Sequence, residues 1–136
     1  MVFDVQSVIR KCEDRECTWK LDVVSMINFV NLAIQANSSV LFHCKAGKNR
    51  SPTAMAFYLV WKLRKQPHEI VREMQHRRDR IEMNMNLAVL WQWYYELTEH
   101  SECYPQFADI VSYPYSGTMW NAMVRAPWRS AYQRYG

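Results

Sequence analysis

One short segment of the chain, Cys44–Arg50, combines a nucleophile, a cation and a flexible backbone position. It contains Gly47, one of only 3 glycines in 136 residues, where average usage would give roughly nine or ten. A glycine in so glycine-poor a sequence indicates a left-handed backbone angle or a close backbone approach. The apolar run Val40–Phe42 precedes the segment and predicts a buried strand. Ser51 and Pro52 follow it, and they predict a helix with Ser51 as its N-cap.

A loop between a strand and a helix start is suited to bind an oxyanion. The free N–H groups of the loop and of the first helical turn point to one place, where the helix dipole adds positive charge. The Arg50 guanidinium matches two phosphate oxygens. The same positive groups favour the Cys44 thiolate, so we expect its pKa to lie below the ordinary value of about 8.5. A thiolate in such a site is suited to nucleophilic attack on phosphorus.

The segment His43–Thr53, HCKAGKNRSPT, resembles the active-site loop of cysteine-dependent phosphatases, specifically the dual-specificity phosphatase branch. It matches the pattern HCxxGxxRS at every fixed position, and the similarity extends over residues 14–97. The resemblance implies an α/β fold with a central sheet flanked by helices. Family domains have several strands before the acid loop, whereas only 13 residues precede Asp14 here. We therefore expect a sheet that is short of N-terminal strands.

The family chemistry assigns a role to each matching residue. Cys44 is the nucleophile that forms a phosphocysteine intermediate, and Arg50 holds the phosphate and stabilises the transition state. Ser51 donates a hydrogen bond to the departing sulfur, and His43 braces the loop and keeps Cys44 ionised. The phosphate-binding residues are Lys45, Ala46, Gly47, Lys48, Asn49 and Arg50. No metal or other cofactor is implied, because the loop and Arg50 supply the positive charge.

The mechanism also needs a general acid, which in the family is an aspartate roughly 30 residues before the cysteine. Asp14 lies 30 positions before Cys44, in a charged, turn-like stretch, and we predict that it is the acid. Glu13 is the alternative, and Asp22 is interpreted as a charge at a helix N-terminus.

A Pro-Asn pair common in the family corresponds here to Met83-Asn84, with Asn86 nearby. The resemblance therefore implies that Asn84 supports the phosphate loop.

Hydrophobic spacing predicts the elements around the loop. Apolar residues recur at helical intervals after Asp22, and Asn37 is the predicted C-terminal cap of that helix. The region Val5–Ile9 is interpreted as a short strand, and Arg10–Lys20 as a charged loop. The remaining predicted helices are a buried one over 52–63, a basic one over 68–80 and a last one over 87–97.

Composition predicts one globular domain over residues 1–100 and an extension over 101–136 that is rich in aromatic residues and contains proline. No apolar run approaches the ~18 residues of a membrane span, so no membrane span is predicted. The cysteines fit no zinc pattern. We interpret them as independent reduced thiols of a cytoplasmic or nuclear protein, although Cys12 and Cys17 could alternatively form a redox pair with Cys44.

The predicted substrate is a protein phosphorylated on tyrosine or on serine/threonine. A phosphoinositide is the alternative, because Lys45 and Lys48 resemble the lysines of phosphoinositide phosphatase loops. A second alternative is a pseudophosphatase that binds phosphate without turnover. The net charge of +4 is mild, and the arginines of residues 72–80 are typical of a solvated helix face, so no specific nucleic-acid partner is predicted. The oligomeric state is left open.

Overall fold

A computed structural model describes residues 3–38, 40, 42 and 49–104 of the chain, and every regular element in that part is helical. Two 3₁₀ turns, Asn84–Asn86 and Ser101–Cys103, flank the last helix. The α-helices are α1 (Val5–Glu13), α2 (Trp19–Gln35), α3 (Arg50–Leu63), α4 (Pro67–Arg77) and α5 (Leu87–Glu99).

The prediction of a central sheet flanked by helices is wrong for the described residues, which contain no β-strand. The N-terminal region read as a strand is helix α1, because Val5, Val8, Ile9 and Cys12 recur at helical intervals. Asp4 caps this helix by accepting a hydrogen bond of 3.1 Å from the Ser7 N–H. The hydrophobic face of α1 packs against α2 and α3, so helices take the place of strands beside the core.

Val40 and Phe42 lie outside any strand in the structure. Both are half-buried and pack against the hydrophobic core. A strand needs a neighbouring extended segment to satisfy its N–H and C=O groups, and the described elements around the core are helices. Leu41, between them, lies outside the described residues.

Helix α3 is the centre of the fold, as its nearly continuous apolar sequence predicts. It contacts all four other helices. Phe57 and Val60 are fully buried, and Trp93 of α5 donates an indole N–H hydrogen bond of 3.1 Å to the Phe57 carbonyl. This bond fixes the axial position of α5 against α3 while the indole ring fills the core.

The other predicted helices are confirmed with shifted ends. Helix α2 begins at Trp19, before the predicted Asp22, and ends at Gln35 with Ala36 as its C-cap. Asn37, the predicted cap, lies one residue further on, where its φ of 58° stops the helix. Helix α4 begins one residue early, at Pro67, where a proline loses no hydrogen bond. None of the helices in the described part of the chain combines the length and apolar composition that a membrane crossing requires.

A buried ion pair joins the start of α2 to the end of α5. Lys20 Nζ lies 2.8 Å from Glu96 Oε2, and the two side chains are 2% and 5% exposed. Tyr104, at the end of the described chain, donates a hydrogen bond of 3.1 Å to Glu96 Oε1. Removing one partner of such a pair leaves an uncompensated buried charge, which costs about 3–5 kcal/mol. The pair therefore strongly constrains how α2 and α5 pack.

Candidate active site

Three residues of the predicted phosphate-binding segment form the start of α3. Asn49 is the N-cap, exposed Arg50 is the first helical residue, and buried Ser51 is the second. The prediction of Ser51 as N-cap is therefore wrong by two positions, although Pro52 still lies in the first turn, where its missing N–H breaks no helical bond. The first-turn N–H groups and the positive end of the α3 dipole lie at this N-terminus.

The remainder of the segment, His43–Lys48, lies outside the described residues. It includes the predicted nucleophile Cys44, the brace His43 and the phosphate-binding residues Lys45, Ala46, Gly47 and Lys48. Their assignments stay predictions. The structure fixes the point to which this segment connects, which is the Asn49–Arg50 junction at the N-terminus of α3.

Asn49 is anchored through both its backbone and its side chain. Its carbonyl accepts hydrogen bonds from the Thr53 N–H at 2.9 Å and from the Thr53 hydroxyl at 2.7 Å. Its side-chain Nδ2 donates to the Glu82 carbonyl at 3.0 Å, and its Oδ1 accepts from Asn86 Nδ2 at 2.9 Å. Because its side chain contacts the segment before α5, Asn49 is fixed relative to two elements.

The asparagine that the structure places against the start of α3 is Asn86, two residues after Asn84, whose support of the phosphate loop stays a prediction. Its Nδ2 also donates to Thr53 Oγ1 at 2.9 Å, and the residue is only 6% exposed. Asn84 begins the 3₁₀ turn and is exposed. The 3₁₀ turn determines this difference: it directs Asn86, its last residue, into the interior beside α3.

The predicted acid Asp14 lies at the C-terminal end of α1 and is exposed. The turn that follows is fixed by two hydrogen bonds, from Arg15 N–H to the Cys12 carbonyl at 3.1 Å and from Glu16 N–H to the Lys11 carbonyl at 2.8 Å. With Arg15 at a φ of 60°, this is a Schellman motif. Asp14 therefore lies on an ordered helix terminus.

Two other acidic residues in this part of the chain, Glu13 and Asp22, lie in different environments. Glu13, the alternative acid, is the last residue of α1 and is exposed. Asp22 lies in the first turn of α2, as predicted for a helix N-terminal charge, and its carboxylate is 2.9 Å from Lys11 Nζ. That ion pair ties α1 to α2 and gives Asp22 a structural function.

Two of the described cysteines, Cys12 and Cys103, have a raised pKa. Burial raises the pKa of Cys12 to about 11, against a smaller lowering effect of the nearby Lys20 charge. Burial, together with the neighbouring Glu102 carboxylate, also raises the pKa of Cys103. Cys17 is only 2% exposed. Near neutral pH, Cys12 and Cys103 are therefore protonated thiols, whereas a nucleophile must be a thiolate.

The comparison with protein families identifies the chain. The family model described as "Dual specificity phosphatase, catalytic domain" matches residues 5–96. The chain belongs to this family. No curated protein and no solved structure matches the chain.

Membership in the dual specificity phosphatase family indicates phosphorylated substrates. The matched region includes both the segment at the N-terminus of α3 and the Asn86 segment that holds it. The sequence pattern singled out Asn49, Arg50 and Ser51, which form the start of α3, but it did not predict the hydrogen bonds of Asn86 to Asn49 and Thr53. An asparagine next to the start of a helix indicates a polar contact. Sequence spacing alone, however, does not show which of Asn84 and Asn86 makes that contact.

Replacing Asn86 tests this support. We predict that Asn86→Ala lowers the free energy of unfolding by about 1–3 kcal/mol, because it leaves the buried partners on Asn49 and Thr53 without a donor. Asn84→Ala is the matched control, and its effect should stay within about 0.5 kcal/mol because Asn84 is exposed. Urea unfolding of the three proteins measures both values. Equal losses in the two variants would contradict the assignment of Asn86.

Proposed function

We propose that this chain hydrolyses phosphomonoesters of tyrosine and of serine/threonine in proteins, through a phosphocysteine intermediate. The observation that supports this most is the full HCxxGxxRS pattern, joined directly to the N-terminus of a buried helix in a member of the dual specificity phosphatase family. A helix N-terminus and an arginine together favour a bound phosphate.

In the first step, Cys44 Sγ attacks phosphorus, and the bond to the substrate's ester oxygen breaks. Asp14 gives its proton to that oxygen, so the alcohol or phenol leaves neutral. The Arg50 guanidinium and the loop amides bind the phosphoryl oxygens, where negative charge is concentrated in the transition state. Exposed Arg50, at the start of α3, has the freedom to adjust its fork to the phosphate.

In the second step, water attacks the phosphocysteine. Asp14, now a carboxylate, takes a proton from the water, and the S–P bond breaks to release inorganic phosphate. Ser51 donates a hydrogen bond to the departing sulfur and so stabilises the thiolate. Its buried place in the first turn of α3, one residue after Arg50, supports this assignment because the serine stays next to the phosphate-binding arginine.

Within this proposed function, the first prediction concerns the nucleophile. The full chain should hydrolyse an aryl phosphate in the presence of a chelator, and Cys44→Ser should reduce kcat at least a thousandfold because a hydroxyl is a far weaker nucleophile than a thiolate. Cys103→Ser is the matched control and should keep wild-type rates. The measurement is release of the aryl alcohol at neutral pH.

Turnover separates this proposal from its two alternatives. A wild-type protein that binds phosphopeptides without chelator-resistant turnover would be a pseudophosphatase. Hydrolysis confined to phosphoinositides, and lost in the Lys45→Ala/Lys48→Ala double variant, would identify a lipid phosphatase.

The second prediction concerns the acid. Asp14→Asn should slow hydrolysis of an alkyl phosphate or phosphoserine peptide about a hundredfold, within the usual range for general acid catalysis. It should affect an aryl phosphate with a good leaving group only a few-fold, because that oxygen leaves without a proton. Glu13→Gln is the comparison, since it removes the alternative acid from the same helix end. If Glu13→Gln shows the leaving-group dependence instead, the role belongs to Glu13.

A further inference from the structure

A cavity of about 620 Å³ lies between α5 on one side and the end of α1 with the α1–α2 connection on the other. This volume is within the roughly 300–1,000 Å³ of sites that hold drug-sized ligands, and it exceeds what a phosphate group needs. Exposed Glu13, Arg15 and Met85 are at its rim, so it opens to the surface. Its walls include Trp19, Lys20, Asn86, Val89 and Glu96.

The interior of the cavity is electrically balanced. Its two buried charges, on Lys20 and Glu96, form an ion pair with a separation of 2.8 Å, and Tyr104 donates a hydrogen bond to the same carboxylate. Apolar side chains, among them those of Trp19 and Val89, line part of the remaining wall. A neutralised charge pair gives no net attraction for a phosphate, so the cavity favours uncharged groups, and its apolar side chains offer them a surface to pack against.

The cavity adjoins the candidate active site on two sides. Asn86 is a wall residue, and the same side chain holds Asn49 and Thr53 at the start of α3. On the other side, the rim residues Glu13 and Arg15 directly flank the predicted acid Asp14. The wall residue Asn86 thus connects the cavity to the start of α3, where the proposed function places the phosphate.

We propose that this cavity binds apolar side chains of the phosphorylated polypeptide, next to the phosphorylated residue. This proposal rests on the proposed function. The rim carries one acidic side chain, Glu13, and one basic side chain, Arg15. Together they can accept and donate hydrogen bonds to the backbone of a bound peptide. Met85, which is 77% exposed, adds an unbranched apolar side chain that adapts to different partners. The cavity thus selects substrates by the residues that flank the phosphate.

Filling the cavity tests the proposal. Ala88 is an exposed wall residue of α5, so Ala88→Trp places an indole across the cavity without altering the core. The probes are two phosphotyrosine peptides, one with leucine and phenylalanine flanks and one with glycine and serine flanks. The wild type should show at least a tenfold higher kcat/KM for the apolar peptide, and Ala88→Trp should bring that ratio close to one.

The matched control is Thr98→Trp, which adds the same side chain at an exposed position of α5 that does not line the cavity. It should keep the wild-type ratio. A wild-type protein that hydrolyses both peptides equally, or an unchanged ratio in Ala88→Trp, would overturn the proposal.

A binding measurement separates this proposal from the proposed function. The unphosphorylated apolar peptide, titrated calorimetrically into the full chain, should bind to the wild type and Thr98→Trp, and at least tenfold more weakly to Ala88→Trp. This result would stand even if the wild type showed no turnover, in which case only the enzymatic proposal fails. Binding of equal strength to all three proteins, or to none, would overturn the cavity proposal.

Discussion

The side-chain amide of Asn86 joins two segments that are far apart in the chain, and the candidate site depends on that junction. Its Nδ2 bonds both Asn49 and Thr53, while Asn49 reaches back to the Glu82 carbonyl. The bond to Thr53 is buried and the bond to Asn49 is partly buried, so leaving either acceptor without its donor costs more than the loss of an exposed bond would. The start of α3, which presents Arg50, is thus held by the segment that precedes α5.

Helix α5 is held by polar contacts at three positions along its length. Asn86 at its N-cap bonds the start of α3, Trp93 bonds the Phe57 carbonyl in the middle of α3, and Glu96 near its end pairs with Lys20. Because these partners lie on both α3 and α2, a shift of α5 would break polar contacts at more than one position along the helix. The cavity between α5 and the α1–α2 connection is therefore bounded by a helix that is held at several points.

Local patterns in the sequence predicted much of the helical frame. The apolar residues of α3 and the proline at the start of α4 mark elements whose side chains are buried as expected. Asn37 ends α2 because an asparagine tolerates a left-handed angle. These features succeed because each depends on a few neighbouring residues and not on a distant partner.

The failures of prediction have physical causes. The sheet was inferred from family resemblance, although Val5, Val8 and Ile9 already have helical spacing, and local periodicity prevailed in that segment. Asn86 was missed in favour of Asn84 because the phase of a 3₁₀ turn determines which asparagine faces α3. The Lys20–Glu96 pair joins residues 76 positions apart (96 − 20), and no local pattern marks such a contact.

The central claim is that the segment before α3 positions a thiolate that attacks phosphorus. Its most direct test is to mix the full chain with an aryl phosphate, quench in acid during the first turnover and locate the phosphate by peptide mass spectrometry. The account predicts a phosphorylated peptide that contains Cys44, formed together with the released phenol. Phosphate on another residue, or phenol release with the Cys44 peptide unmodified, would contradict it.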